Sequence, residues 1–98
     1  MTIRIPNFKQ SPVDFMRSCG YAFDREVGTE ASCMRRVTGH DYPRYHAYVK
    51  KEGVALVINL HIDQKKPSYE GSRAHSGEYD GELVEREMER IRSFAEES

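Results

Sequence analysis

The chain has 98 residues, 38% apolar and 32% charged, with ten Phe and Tyr; that suits one core, and the aromatic content exceeds what a disordered chain carries. Fifteen Lys and Arg against sixteen Asp and Glu leave a net charge of −1, so no overall field draws the chain to nucleic acid or to an anionic membrane. The longest apolar run is Val54–Ile58, far short of the about 20 residues a membrane-spanning helix needs.

Met1–Pro6 has no apolar signal core, and Cys19 and Cys33 have neither the density nor the spacing of a disulfide framework or zinc site. The expectation is a cytoplasmic protein with no membrane contact. Residues 1–98 read as a single small domain, with 1–10 as an N-terminal arm and 96–98 as a frayed tail.

In chain order, Ser11-Pro12-Val13-Asp14 predicts the start of a short helix. Ser11 can cap it, Pro12 suits its first position, and Asp14 lies near its positive end. Val13, Phe15, Met16 and Cys19 give it an apolar face, and Gly20 ends it. Tyr21–Glu26 and Ala31–Val37 read as strands around a Gly28-Thr29 turn. Gly39–Pro43 is a loop, since Pro43 disfavours helix at Tyr42.

Arg44–Lys51 and Val54–Asp63 predict a hairpin around Glu52-Gly53. Pairing Lys51 with Val54 sets Val49 against Leu56, Ala47 against Ile58 and Tyr45 against Leu60 on a buried face. The polar face then pairs Tyr48 with Val57, His46 with Asn59 and Arg44 with His61, and is expected to be wet. Residues 64–81 form a long loop whose two tyrosines, Tyr69 and Tyr79, give it the composition of an ordered element. Connections above about 12–15 residues are usually functional or disordered. Asp80 is placed to cap a final helix. Val84, Met88, Ile91 and Ala95 form its apolar stripe, widened by Leu83 and Phe94, and Glu85, Arg86, Glu89 and Arg90 lie opposite. The expected fold is α+β, a four-stranded antiparallel meander with a short N-terminal and a longer C-terminal helix packed on one face (α-β-β-β-β-α).

Three constellations could carry chemistry. His61 and Asp63 lie about 7 Å apart on one strand face, with His75 and Glu78 in the loop beyond and His46 one strand away. Imidazole and carboxylate suit a divalent metal, with His61, Asp63, His75 and Glu78 as the ligand set. Arg44, Lys65, Lys66 and Arg73, interleaved with Tyr69, form a cationic group able to hold an anionic ligand or single-stranded nucleic acid. Nucleophilic catalysis has little support: Cys19 and Cys33 read as packed thiols, and no Gly-x-Ser-x-Gly elbow is present. The element order invites comparison with double-stranded RNA-binding domains, but Asp80-Gly81-Glu82 stands where those place phosphate-binding lysines.

The leading reading is a small cytoplasmic binding or accessory module, not an enzyme. It would recognise its partner through residues 61–81 and the polar sheet face, using Arg44, His46, His61, Asp63, Lys65, Lys66, Tyr69, Arg73, His75 and Tyr79. A protein partner or a homodimer is expected, an anionic ligand or nucleic acid being the weaker option. The alternative is a metal-dependent hydrolase centred on His61, Asp63 and His75; no other cofactor is expected.

Overall fold

A computed structural model of the chain describes residues 1–65, 77, 78 and 81–97, with Gly77 and Glu78 described through their backbone. The elements are β1 (Thr2–Ile5), α1 (Pro12–Ser18), β2 (Ala22–Val27), β3 (Glu30–Arg36), β4 (Arg44–Glu52), β5 (Ala55–Asp63), β6 (Gly77–Glu78) and α2 (Glu82–Glu97). All strand pairings are antiparallel, in the order β1-β5-β4-β3-β2, and the two-residue β6 also pairs with β5. The α+β class is as expected. Four strands are not enough, however, because the supposed arm contains β1.

Thr2-Ile3-Arg4-Ile5 alternates polar and apolar residues, and the strand docks with Ile3 opposite Ile58 and Ile5 opposite Leu56. Met1 extends the ladder: its nitrogen donates to Leu60 O (3.0 Å) and its carbonyl accepts from Leu60 N (2.7 Å). Phe8 then closes over the core, its nitrogen donating to Val54 O at 2.7 Å and its ring meeting Phe15 edge-on at 5.0 Å. The other sheet edge is β2, exposed along its whole length, with a bulge between Phe23 and Arg25 that breaks its regular edge.

Helix α1 forms as its caps dictate. Ser11 Oγ accepts from Asp14 N at 3.4 Å, and the chain leaves through Gly20 at φ 94°, a backbone conformation that excludes most side chains. Phe15 and Met16 from α1, and Val84, Met88 and Ile91 from α2, join Cys33, Ala47, Val49, Leu56, Ile58, Leu60 and Ile62 in one buried cluster. The expected core face is therefore correct. Burial raises the thiol pKa of Cys19, and pushes that of Cys33 up to about 11, so both are inert packing groups.

The hairpin register differs from the expectation by two residues. Glu52 pairs with Ala55, which leaves Gly53-Val54 as the turn, with positive φ at Gly53 (61°) and not at Val54. That is the demand of a type II′ turn, with glycine in the first central place. A shift of two keeps every side chain on its face, which is why the core survives, but it changes every cross-strand neighbour. Arg44 now faces Asp63 rather than His61, His46 faces His61 rather than Asn59, and Tyr48 faces Asn59 rather than Val57.

Helix α2 also departs from expectation. It runs to Glu97, so residues 96 and 97 are helical rather than frayed, and Leu83 is 42% exposed, outside the stripe. Asp80 lies outside the described residues. Glu87 sits between Val84, Met88 and Ile91 and is only 3% exposed. Its carboxylate accepts from Tyr21 Oη (2.7 Å), Arg90 Nε and Nη2 (2.9 and 2.8 Å) and Arg35 Nη1 (3.3 Å). Arg90, expected on the solvent face, turns inward to do this and also donates to Cys19 O at 2.6 Å. One buried charge, fully partnered, thus ties α2 to the end of α1 and to β3.

Candidate metal centre

The face of the sheet opposite the core collects Ser32, Met34 and Arg36 from β3, Arg44, His46 and Tyr48 from β4, and Asn59, His61 and Asp63 from β5. The sequence predicts this face to be wet. At its centre it is not: Ser32 is 1% exposed and His61 8%. Three rings stack there and shield one another. The His46 centroid lies 4.5 Å from Tyr48 and 4.9 Å from His61, and Tyr48 and His61 stack at 5.9 Å with 22° between planes.

Asp63 organises this cluster. Its Oδ2 accepts from His46 Nδ1 at 3.1 Å, and its Oδ1 accepts from His61 Nε2 at 2.9 Å. Burial alone would raise the Asp63 pKa, but the hydrogen bonds and positive charge from His46 and His61 outweigh it and hold the carboxyl far below the usual range. The acid is therefore an anion, which can only accept, so each facing histidine nitrogen carries a proton. On the far side of His46, Nε2 meets Ser32 Oγ at 2.6 Å.

One donor atom from each of His46, His61 and Asp63 lies within 4.8 Å of the other two. A tetrahedral ion with donors at about 2.0–2.2 Å holds them roughly 3.4 Å apart, so the widest pair must close by at most about 1.4 Å, a side-chain adjustment. Two imidazoles and a carboxylate form a donor set suited to Zn²⁺ or Fe²⁺, with a coordination position left open. Ser32 suits either tautomer of His46. Its hydroxyl donates to Nε2 when Nδ1 carries the proton, and accepts from Nε2–H when Nδ1 is a ligand.

The chain Ser32–His46–Asp63 also has the connectivity of a nucleophilic triad. Burial of Ser32 beneath the rings argues against that use, since its Oγ offers no approach to a substrate carbonyl.

Of the residues expected in the metal set, His61 and Asp63 come together, while His75 lies outside the described residues. Glu78 pairs with Ile62 through its backbone, and its side chain lies outside the description. His46, expected only as a neighbour, is a full member. Among the cationic residues Arg44 lies at the Asp63 end of the ladder and Lys65 is exposed just beyond it. Lys66, Tyr69, Arg73 and Tyr79 lie outside the described residues, as does most of the 64–81 loop. Ser32 and Arg36 are not among the expected site residues, because their place beside the histidines follows only from the pairing of β3 with β4. Tyr48, expected on the polar face, gains its stack on His61 from the true register.

No known family model, curated protein or solved structure matches this chain, so the functional reading rests on the geometry of the site. No described helix is long and apolar enough to cross a membrane.

Proposed function

We propose that the protein is a metal-binding module that holds one divalent transition-metal ion on its polar sheet face through His46, His61 and Asp63. The observation that carries this reading is the convergence of two imidazoles and one ionised carboxylate, all within 4.8 Å, from adjacent strands of a rigid hairpin. Placement on paired strands favours such a site, because the ladder fixes the ligands without ordering a loop. Ser32 supplies the outer hydrogen bond that orients His46. The open coordination position suits an exogenous ligand or a metal-bound water, so hydrolysis is the chemistry that this centre would serve if the protein is an enzyme. The free, buried thiols of Cys19 and Cys33 favour a reducing, cytoplasmic setting.

Chelator-treated protein titrated calorimetrically with Zn²⁺, and by visible absorption with Co²⁺, tests the proposal. One equivalent should bind. His46→Ala and His61→Ala should each remove binding, while His40→Ala, in an exposed loop, should not. Absence of stoichiometric binding, or binding unchanged in both site variants, would overturn the reading.

A further inference from the structure

We propose that Arg44 and Arg36 form a subsite for a small oxyanion, a carboxylate or a phosphate group, immediately beside the histidine centre. The starting observation is an arginine with a buried, unpartnered Nε–H. The Arg44 Nε is buried and has no hydrogen-bond partner among the described residues. Asp63 lies near it, with Nε 3.8 Å from Oδ2, beyond hydrogen-bond reach. A guanidinium carries five N–H donors in a fixed fork, and leaving a buried one unpaired is costly unless a ligand or water completes it.

The side chain is nonetheless held in place. Its guanidinium lies over the Tyr42 ring at 4.5 Å, and its strand position is fixed by pairing with both Arg36 and Asp63. Stacking on an aromatic face leaves the in-plane donors free, which is how arginine presents a two-pronged edge to a planar or tetrahedral anion.

The space is also there. A surface cavity of about 340 Å³ is lined by Gly20, Ala22, Met34, Arg36, Asp41 and Arg44. Gly20 and Ala22 bring almost no side chain to it, so the rim stays open where β2 begins. Two cations face one carboxylate across it. Arg36 Nη2 donates to Asp41 Oδ1 at 2.7 Å, but that pair is exposed on both sides and so contributes little stability, leaving Arg36 able to turn to a ligand. Asp63 lies on the other side of Arg44, where it is already engaged by both histidines. An anion bound here would lie beside the residue that faces Asp63 across the ladder. The subsite does not depend on the histidine centre, because its donors are the arginines themselves.

The test uses full-length protein with ¹⁵N-labelled arginine side chains, titrated with inorganic phosphate and separately with acetate at constant ionic strength set by chloride, with and without one equivalent of Zn²⁺. The Arg44 Nε–H resonance should move saturably with at least one of the two anions, in chelator-treated protein as well, and more than that of any other arginine. Comparison of the two titrations tells phosphate from carboxylate. Arg44→Gln should weaken binding at least tenfold. Arg44→Lys should not restore it, since an ammonium lacks the fork. His61→Ala should remove zinc binding and keep anion binding, which separates failure of the subsite from failure of the metal reading. An Arg44 resonance that follows chloride alone, or ignores both anions, overturns the proposal whether or not the Arg44 variants fold. So does an Arg44→Gln protein that binds as tightly as the parent.

Discussion

His46 and His61 stand directly opposite each other on neighbouring strands, their ring centroids 4.9 Å apart, and the single carboxylate of Asp63 accepts a hydrogen bond from both. Two rings that would otherwise compete for water are locked into one geometry by a residue two places along the same strand as one of them. The arrangement is set by the ladder: opposite residues and same-strand neighbours at i and i+2 share a face. It makes the site as rigid as the hairpin that carries it.

Removing the shared acceptor tests how far that rigidity depends on Asp63. Asp63→Asn keeps the shape but replaces one oxygen with a donor, which must face a histidine N–H. One of the two bonds is lost or one ring changes tautomer. Urea denaturation of the chelator-treated protein should show a loss of about 1–3 kcal/mol, and Co²⁺ binding should weaken sharply. A midpoint equal to that of the parent would mean that the histidine–carboxylate bonds contribute nothing to the fold.

Ser32 gives a subtler expectation. Its hydroxyl is buried and its side-chain partner is His46 Nε2, at 2.6 Å. Ser32→Ala should leave the fold intact, at a cost of about 1–2 kcal/mol for the nitrogen it strands. Zinc affinity should fall roughly 10–100-fold, the usual penalty for losing an outer-shell partner. Thermal melts and competitive chelator titrations read the two effects separately. Unchanged zinc affinity with reduced stability would make Ser32 a packing residue only.

Much of this was legible in the residues themselves. Ser11, Pro12 and Gly20 act on local backbone, so α1 could be read from them. The alternation along β4 and β5 marks which side chains are buried, and it is insensitive to a slip of two. The site was less legible for that same reason. Glu52-Gly53 and Gly53-Val54 are both acceptable two-residue turns, and only the second sets His46 against His61. Strand β1 escaped because four residues ending at a proline carry little periodic signal, and its pairing with β5 is a contact between distant parts of the chain. Glu87 did leave a signal. Positions 84, 87, 88 and 91 trace one helical stripe, and an acid in the middle of such a stripe is either a fault or a buried, partnered charge.

The Glu87 cluster makes its own prediction. Glu87→Ala strands Arg35 and Arg90, which both donate to its carboxylate, and leaves Tyr21 Oη without its acceptor. Breaking a fully buried pair costs roughly 3–5 kcal/mol. Because both arginines keep about a third of their side-chain surface in water, a loss of roughly 2–4 kcal/mol is expected here, read from the urea midpoint. Glu87→Gln should lose less, since its oxygen still accepts. Equal losses in the two variants would show that the negative charge alone, rather than the shape or the remaining acceptor oxygen that glutamine keeps, is what the carboxylate provides.

Tyr21 provides a pH signature for the same cluster. Burial first, then the charge of Glu87 and the hydrogen bond to it, raise the Tyr21 pKa far above its ordinary value of 10.0. The folded protein therefore keeps this proton where the unfolded chain releases it. The stability that this difference contributes is fully present below pH about 10 and declines as pH rises further, because unfolding then releases a proton. Tyr21→Phe has no proton to release. It should be less stable than the parent at neutral pH by about 1–2 kcal/mol, the cost of withdrawing one donor from a buried carboxylate. Its stability should also fall less steeply between pH 10 and 11. Urea melts of the two proteins at pH 7, 9, 10 and 11 measure both quantities. Curves that stay parallel across that range would mean that Tyr21 titrates normally in the folded protein, and that its hydroxyl does not engage Glu87 in solution.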